Sequence, residues 1–193
     1  MMGSRRMLFL WLVLAWGQNA AAEGFGLDAL LPALAQNSGG RARFNEKKFI
    51  ALLDQPVESS GELVYARPGH LEKNTFKPQP ERLTLDNGTL TIEAKGQKKS
   101  VPLSDYPELA VFVESLRGTL AGDRAALERV WRLYLGGSSA HWTLLLLPSA
   151  PAMSSVISRI KITGEAAQLR SVEIQQADGD RSLMRIEPIR VEP

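Results

Sequence analysis

The sequence predicts a mainly β protein with α (α+β): one strongly curved antiparallel sheet of about eleven strands, its concave face filled by helices. Three observations predict it. Turn signals such as Arg67-Pro68-Gly69-His70, Asp86-Asn87-Gly88 and Ala177-Asp178-Gly179-Asp180 punctuate the chain from Arg43 onward. Apolar and polar residues alternate between them, as in Leu83/Leu85, Leu90/Ile92 and Ile160/Ile162. Two stretches with helical spacing stand apart from these strands, unlike the regular strand–helix alternation of a parallel sheet.

At the N-terminus, Arg5 and Arg6 precede the apolar run Met7–Trp16, and Ala20-Ala21-Ala22 follows. This is the pattern of a cleavable secretory signal peptide over residues 1–22, too short to anchor in a bilayer. A single domain over 23–193 is expected to remain. Cleavage removes two of the 23 basic residues and none of the 21 acidic ones, so the formal charge falls from +2 to zero. Nucleic acid is therefore no expected partner.

Leu27, Leu30, Leu31 and Leu34 share one face of a helix over 27–36, with Asp28 as its expected N-cap and Asn37–Gly40 as its stop. Strands are expected at 42–53, 60–67, 70–77, 81–86, 89–95 and 98–103. The capping-box pattern Asp105-x-x-Glu108, with Pro107 between, opens a second helix. Its face carries Tyr106, Leu109, Phe112, Val113, Leu116 and Leu120 as far as residue 121, and a short helical turn follows at 123–128. Strands resume at 129–135 and 140–147, joined by Gly136–Ser139, and a Pro-bounded loop spans 148–155. The last strands are 156–163, 168–176 and 181–187.

About eight strands close a barrel that side chains can fill, so eleven leave a wider interior. The two amphipathic helices, 27–36 and 106–121, supply apolar surface to occupy it. A ligand of similar surface competes with a helix for that face, which allows a covered apolar cavity. Leu63, Tyr65, Leu71, Phe76, Leu83, Leu85, Leu90, Ile92, Leu109, Phe112, Leu116 and Trp142 are its candidate lining. The same residues serve equally as an ordinary core, and Trp131 and Trp142 suit core or rim positions better than ligand stacking.

The chain has no cysteine, which excludes disulfides, thiolate metal sites, a cysteine nucleophile and a lipid-modified N-terminal cysteine. His70, alone in a Pro-Gly turn, is no metal site. Ser138, Ser139 and His141 lie in Gly-Gly-Ser-Ser-Ala-His, which suits a hairpin and not the strand–elbow–helix setting of a hydrolase serine. No catalytic group, metal or cofactor is expected, so the protein is not expected to be an enzyme. Lys95-Gly96-Gln97-Lys98-Lys99 is expected to solvate a hairpin tip, the alternative being docking to an anionic membrane or partner.

Gly61-Glu62-Leu63-Val64-Tyr65-Ala66-Arg67-Pro68-Gly69 resembles the G-x-L-x-x-x-R-P strand of LolA-like carriers. Ala42–Glu46 is similar to their first strand, Asp86-Asn87-Gly88 to their aspartate-glycine turn, and Trp142–Pro148 to their W-x-L-x-L-x-P strand. The resemblance spans roughly residues 27 to 187. Lys73 and the strand Thr89–Glu93 depart from it, standing where the family is aromatic. The resemblance implies an unclosed eleven-stranded barrel with a helical lid, in a soluble, monomeric periplasmic protein. It implies a cavity that holds acyl chains of a lipoprotein or other lipid, taken from an inner-membrane export complex to an outer-membrane acceptor. It also implies that Arg67 points inward and latches the lid through its backbone; the alternative is a solvated arginine at the mouth. A second function carried by the same fold is lipid sensing, with signalling to or docking on a membrane partner.

Overall fold

The computed structural model describes residues 24–37 and 39–189; the expected signal peptide, 1–22, lies outside the described residues. In chain order the elements are α1 (Leu27–Ala35), β1 (Gly39–Phe49), β2 (Val57–Ala66), β3 (His70–Lys77), β4 (Glu81–Asp86), β5 (Thr89–Ala94) and β6 (Gln97–Pro102). A 3-10 turn (Leu103–Asp105) leads into α2 (Pro107–Ala121) and α3 (Arg124–Val130). Then come β7 (Trp131–Gly137), β8 (Trp142–Pro148), α4 (Pro151–Ser154), β9 (Ile157–Glu165), β10 (Gln168–Gln176) and β11 (Arg181–Pro188).

All eleven strands form one antiparallel sheet in the order β6-β5-β4-β3-β2-β1-β11-β10-β9-β8-β7. It consists of two meanders, β1–β6 and β7–β11, joined where β1 pairs with β11 and Phe44 lies opposite Ile186. The edges β6 and β7 do not pair, so the barrel stays unclosed. Lys98 and Lys99 on β6 discourage pairing of that edge with another chain.

Local chemistry explains the tight hairpins. Asn87 and Gly88 both have positive φ, 47° and 76°, and Lys95 and Gly96 repeat the pattern at 53° and 75°. Such two-residue turns match the twist of the strands they join.

Several boundaries differ from expectation. Residues 129–130 belong to α3, which Asp123 caps at its start by accepting from the Ala126 amide at 2.9 Å and which closes with the Trp131 amide donating to the Leu127 carbonyl. The loop 148–155 contains α4. Gly26, not Asp28, is the N-cap of α1; Asp28 sits in the first turn and pairs with Arg124 of α3 at 2.7 Å. Tyr106, not Asp105, is the N-cap of α2, because the chain passes first through the 3-10 turn at Leu103–Asp105.

The concave face carries two apolar clusters. The larger joins Leu30, Leu31 and Leu34 of α1 and Leu127 of α3 to Phe44, Trp131, Trp142, Leu144, Leu146, Ile160, Ile162 and Val172. The smaller, on β4 and β5, is Leu85 and Leu90 with Leu103 and Val113.

A candidate lipid-binding cavity beneath the second helix

Helix α2 has two working faces. One is small: a side chain on Gly118 would press on Leu127, and one on Gly122 would collide with the Leu31 carbonyl and the Ala35 methyl. Gly122 also has φ 68°, which a side chain would strain. These glycines let α2 lie close against α1 and α3. Ser115 and Thr119, both buried, return their hydroxyls to the carbonyls of Val111 and Ser115 at 2.6 and 2.8 Å. The other face carries Leu109, Phe112, Val113, Leu116 and Leu120, and it roofs a cavity.

The cavity measures about 280 Å³ and lies between the two clusters. Its walls are Ala42, Leu63, Tyr65, Leu71, Leu83, Leu85 and Leu90 from the first meander, with Leu169, Val172, Met184 and Ile186 from the second. Asn37, Ala167 and Gln168 stand where the α1–β1 junction meets the β9–β10 turn. There the Asn37 amide donates to the Ala167 carbonyl at 2.6 Å.

Most of the expected lining therefore surrounds one space, and three expectations need correction. Phe76 is 56% exposed, on the outer side of β3. Register explains this: Tyr65 lies opposite Leu71, Leu63 opposite Lys73 and Gly61 opposite Thr75, so the inward positions of β3 are 71, 73 and 75. Trp142 is core. It packs over Gly164, where any side chain would clash with its ring, and donates its indole N–H to the Ala166 carbonyl at 2.8 Å. Ile92 packs against the smaller cluster and does not itself line the cavity.

Arg67 lies just past the end of β2 and is exposed, at the rim and not inside. Its Nη2 donates to the carbonyl of Ala121, in the last turn of α2, at 3.4 Å. Ser138–His141 forms the β7–β8 turn, where the Ser138 amide donates to the His141 carbonyl at 2.9 Å. His141 is exposed, 3.6 Å from Glu165. No cluster of metal-ligating side chains occurs among the described residues.

The sequence reading missed a polar cluster on the same concave face. Glu46 is 5% exposed. Its carboxylate accepts from Lys73 at 2.5 Å, Ser182 at 2.6 Å and Ser59 at 3.2 Å. Burial alone would raise its pKa. The charges of Lys73 and Lys48, with hydrogen bonds from Lys73 and Ser182, outweigh burial and hold it below the usual carboxylate value. The Lys73 ammonium also lies 5.0 Å from the Phe44 ring centre, and Lys73 lines the cavity. The signal was parity: Lys73 follows Leu71 by two residues, and Glu46 follows Phe44 by two.

None of the helices among the described residues is long and apolar enough to cross a membrane. No curated protein matches the chain. Similar solved structures include a LolA superfamily protein of Nitrosomonas europaea, at 8% identity and TM-score 0.43, with 86% of this chain and 93% of that chain covered. Another is LprF of Mycobacterium bovis, at 14% identity and TM-score 0.38, with 86% and 94% covered. A third is MucB in complex with MucA from Pseudomonas aeruginosa, at 11% identity and TM-score 0.44, with 86% and 57% covered. The sequence profile of outer membrane lipoprotein carrier proteins of LolA-like type matches residues 19–185. With an eleven-stranded open sheet and a helix roofing its apolar hollow, the chain belongs to the LolA-like family.

Proposed function

We propose that this protein is a periplasmic carrier that takes the acyl chains of a lipoprotein or lipid into the cavity under α2 and passes them from the inner towards the outer membrane. The observation that carries this reading is the cavity: lined mainly by leucine, valine and aromatic side chains, and roofed by a helix whose apolar face is exchangeable for a ligand's. At about 280 Å³ it lies just below the roughly 300–1,000 Å³ of ligand pockets. A long chain therefore enters by lifting α2.

The energetics favour exchange over retention. Burying a 16-carbon chain returns about 0.8 kcal/mol per methylene, on the order of 10 kcal/mol in all. Withdrawing Leu109, Phe112, Leu116 and Leu120, which are partly buried, costs less than the about 1.5–3 kcal/mol that each would carry if fully buried. This cost offsets part of the gain, which weakens net binding and favours handover to an acceptor. Arg67 acts as a minor latch, since an exposed 3.4 Å bond to Ala121 adds on the order of 1 kcal/mol or less.

The test is native mass spectrometry of residues 23–193 isolated from the periplasm, followed by lipid extraction and a vesicle-to-vesicle transfer assay. A stoichiometric lipid adduct that moves to acceptor vesicles is the expected result. An adduct that is never delivered would make the protein a lipid-sensing or docking module. A clean apo mass with no uptake of fatty acid or phospholipid would overturn lipid binding.

A further inference from the structure

Two residues that line the cavity, Tyr65 and Lys73, carry donors with hydrogen-bonding capacity to spare. The hydroxyl of Tyr65 is buried and has no partner among the described residues. Tyr65 itself lines the cavity on the face it shares with Leu63. A buried hydroxyl without a partner is costly, and native proteins rarely leave one so. On the neighbouring strand, Lys73 gives one hydrogen bond, to Glu46, and an ammonium has three protons to give. The nearby acceptor is already occupied: Ser182 bonds one Glu46 oxygen, while Lys73 and Ser59 bond the other. Because Tyr65 lies opposite Leu71 and Leu63 opposite Lys73, the two donors are diagonal neighbours on one face.

A plain hydrocarbon would leave both donors unsatisfied. A fully anionic head would meet a Lys73 whose charge Glu46 already balances. The complement is a neutral acceptor oxygen beside an apolar chain. Resting on the carrier reading above, we propose that this cavity selects acyl esters and amides over bare or ether-linked chains, through a hydrogen bond from the Tyr65 hydroxyl to the acyl carbonyl, with Lys73 as a second donor. Selectivity then lies in the carbonyl, while the leucines bind any chain.

Monopalmitoylglycerol and its hexadecyl ether analogue test this directly, differing by one carbonyl oxygen. Wild type should bind the ester about fivefold more tightly than the ether, the worth of one net hydrogen bond. Tyr65→Phe should erase that preference by weakening the ester alone. The same variant should raise the melting temperature of the empty protein, because it removes a buried hydroxyl that lacks a partner. The infrared carbonyl band of a labelled ester should shift on binding to wild type and shift less on binding to the variant. Equal binding of ester and ether by wild type would overturn the selectivity and leave the carrier reading standing. Equal weakening of both ligands by Tyr65→Phe would show a merely structural tyrosine and also overturn it. Failure of both ligands to bind would overturn this proposal and the carrier reading together.

Discussion

The two meanders present opposite kinds of inner surface. On the second, β8 is buried at every alternate residue, Trp142, Leu144, Leu146 and Pro148, and α1, α3 and two tryptophans fill the space above it. On the first, Leu63, Tyr65, Leu71, Leu83 and Ile92 are only half-buried although they face inward. Lower on that same face stands a charged pair, Glu46 and Lys73. One half is close-packed and fixes the fold. The other adds to a small buried cluster, Leu85 and Leu90, a half-buried apolar surface under α2 and a charged pair. The contrast separates what must stay from what can be exchanged.

The largest expected effect breaks the close-packed half. Leu144 is fully buried, so Leu144→Ala should cost about 2–5 kcal/mol. Leu83→Ala, on the half-buried wall, should cost less than half as much in the same urea titration. Equal losses would mean that the two halves are one core. Next comes the contact holding the roof to the fixed part. Gly122→Ala combines a strained φ with a collision against α1, and about 1–3 kcal/mol should be lost in thermal unfolding. Lipid release should quicken as well, since the end of α2 is pushed away from α1.

A third comparison uses pH. The pKa of Glu46 is held below the ordinary carboxylate value in the folded protein. Its ionised form thus stabilises the fold above the unfolded pKa of about 4.3, and that stabilisation is lost as pH falls through the lower folded value. Glu46→Gln should therefore lose stability at neutral pH and flatten the acid limb of the stability profile. An unchanged acid limb would show that Glu46 is not the group responsible. The smallest effect belongs to the rim. Arg67→Leu should speed lipid release by only about two- to threefold, measured by transfer to vesicles. A tenfold change would make Arg67 a principal latch.

Much of this was legible in the sequence because hairpins are local. Asp86-Asn87-Gly88 fixes the register of β4 and β5, and with it the inward direction of Leu83, Leu85, Leu90 and Ile92. Phe76 was misplaced although parity already spoke against it: residues 71 and 76 are an odd number apart and cannot share a face of a regular strand. Trp142 and Leu85 were indistinguishable, since both face inward, and only the packing of α1 decides which is sealed. Arg67 has the parity of Tyr65, but β2 ends at Ala66, so alternation no longer governs its side chain. The Glu46 cluster draws on β1, β2, β3 and β11 and exists only once both meanders have joined.

The open edge of the sheet has one more consequence. Helices α2 and α3 are the connection between edge strands β6 and β7, so the roof is tethered at both ends and can swing without leaving. Reclosure is intramolecular, at an effective concentration set by two short connectors and not by how much protein is present. On the carrier function proposed above, a bound lipid faces a competitor that cannot be diluted away, and readiness to unload stays the same in a crowded compartment or a sparse one.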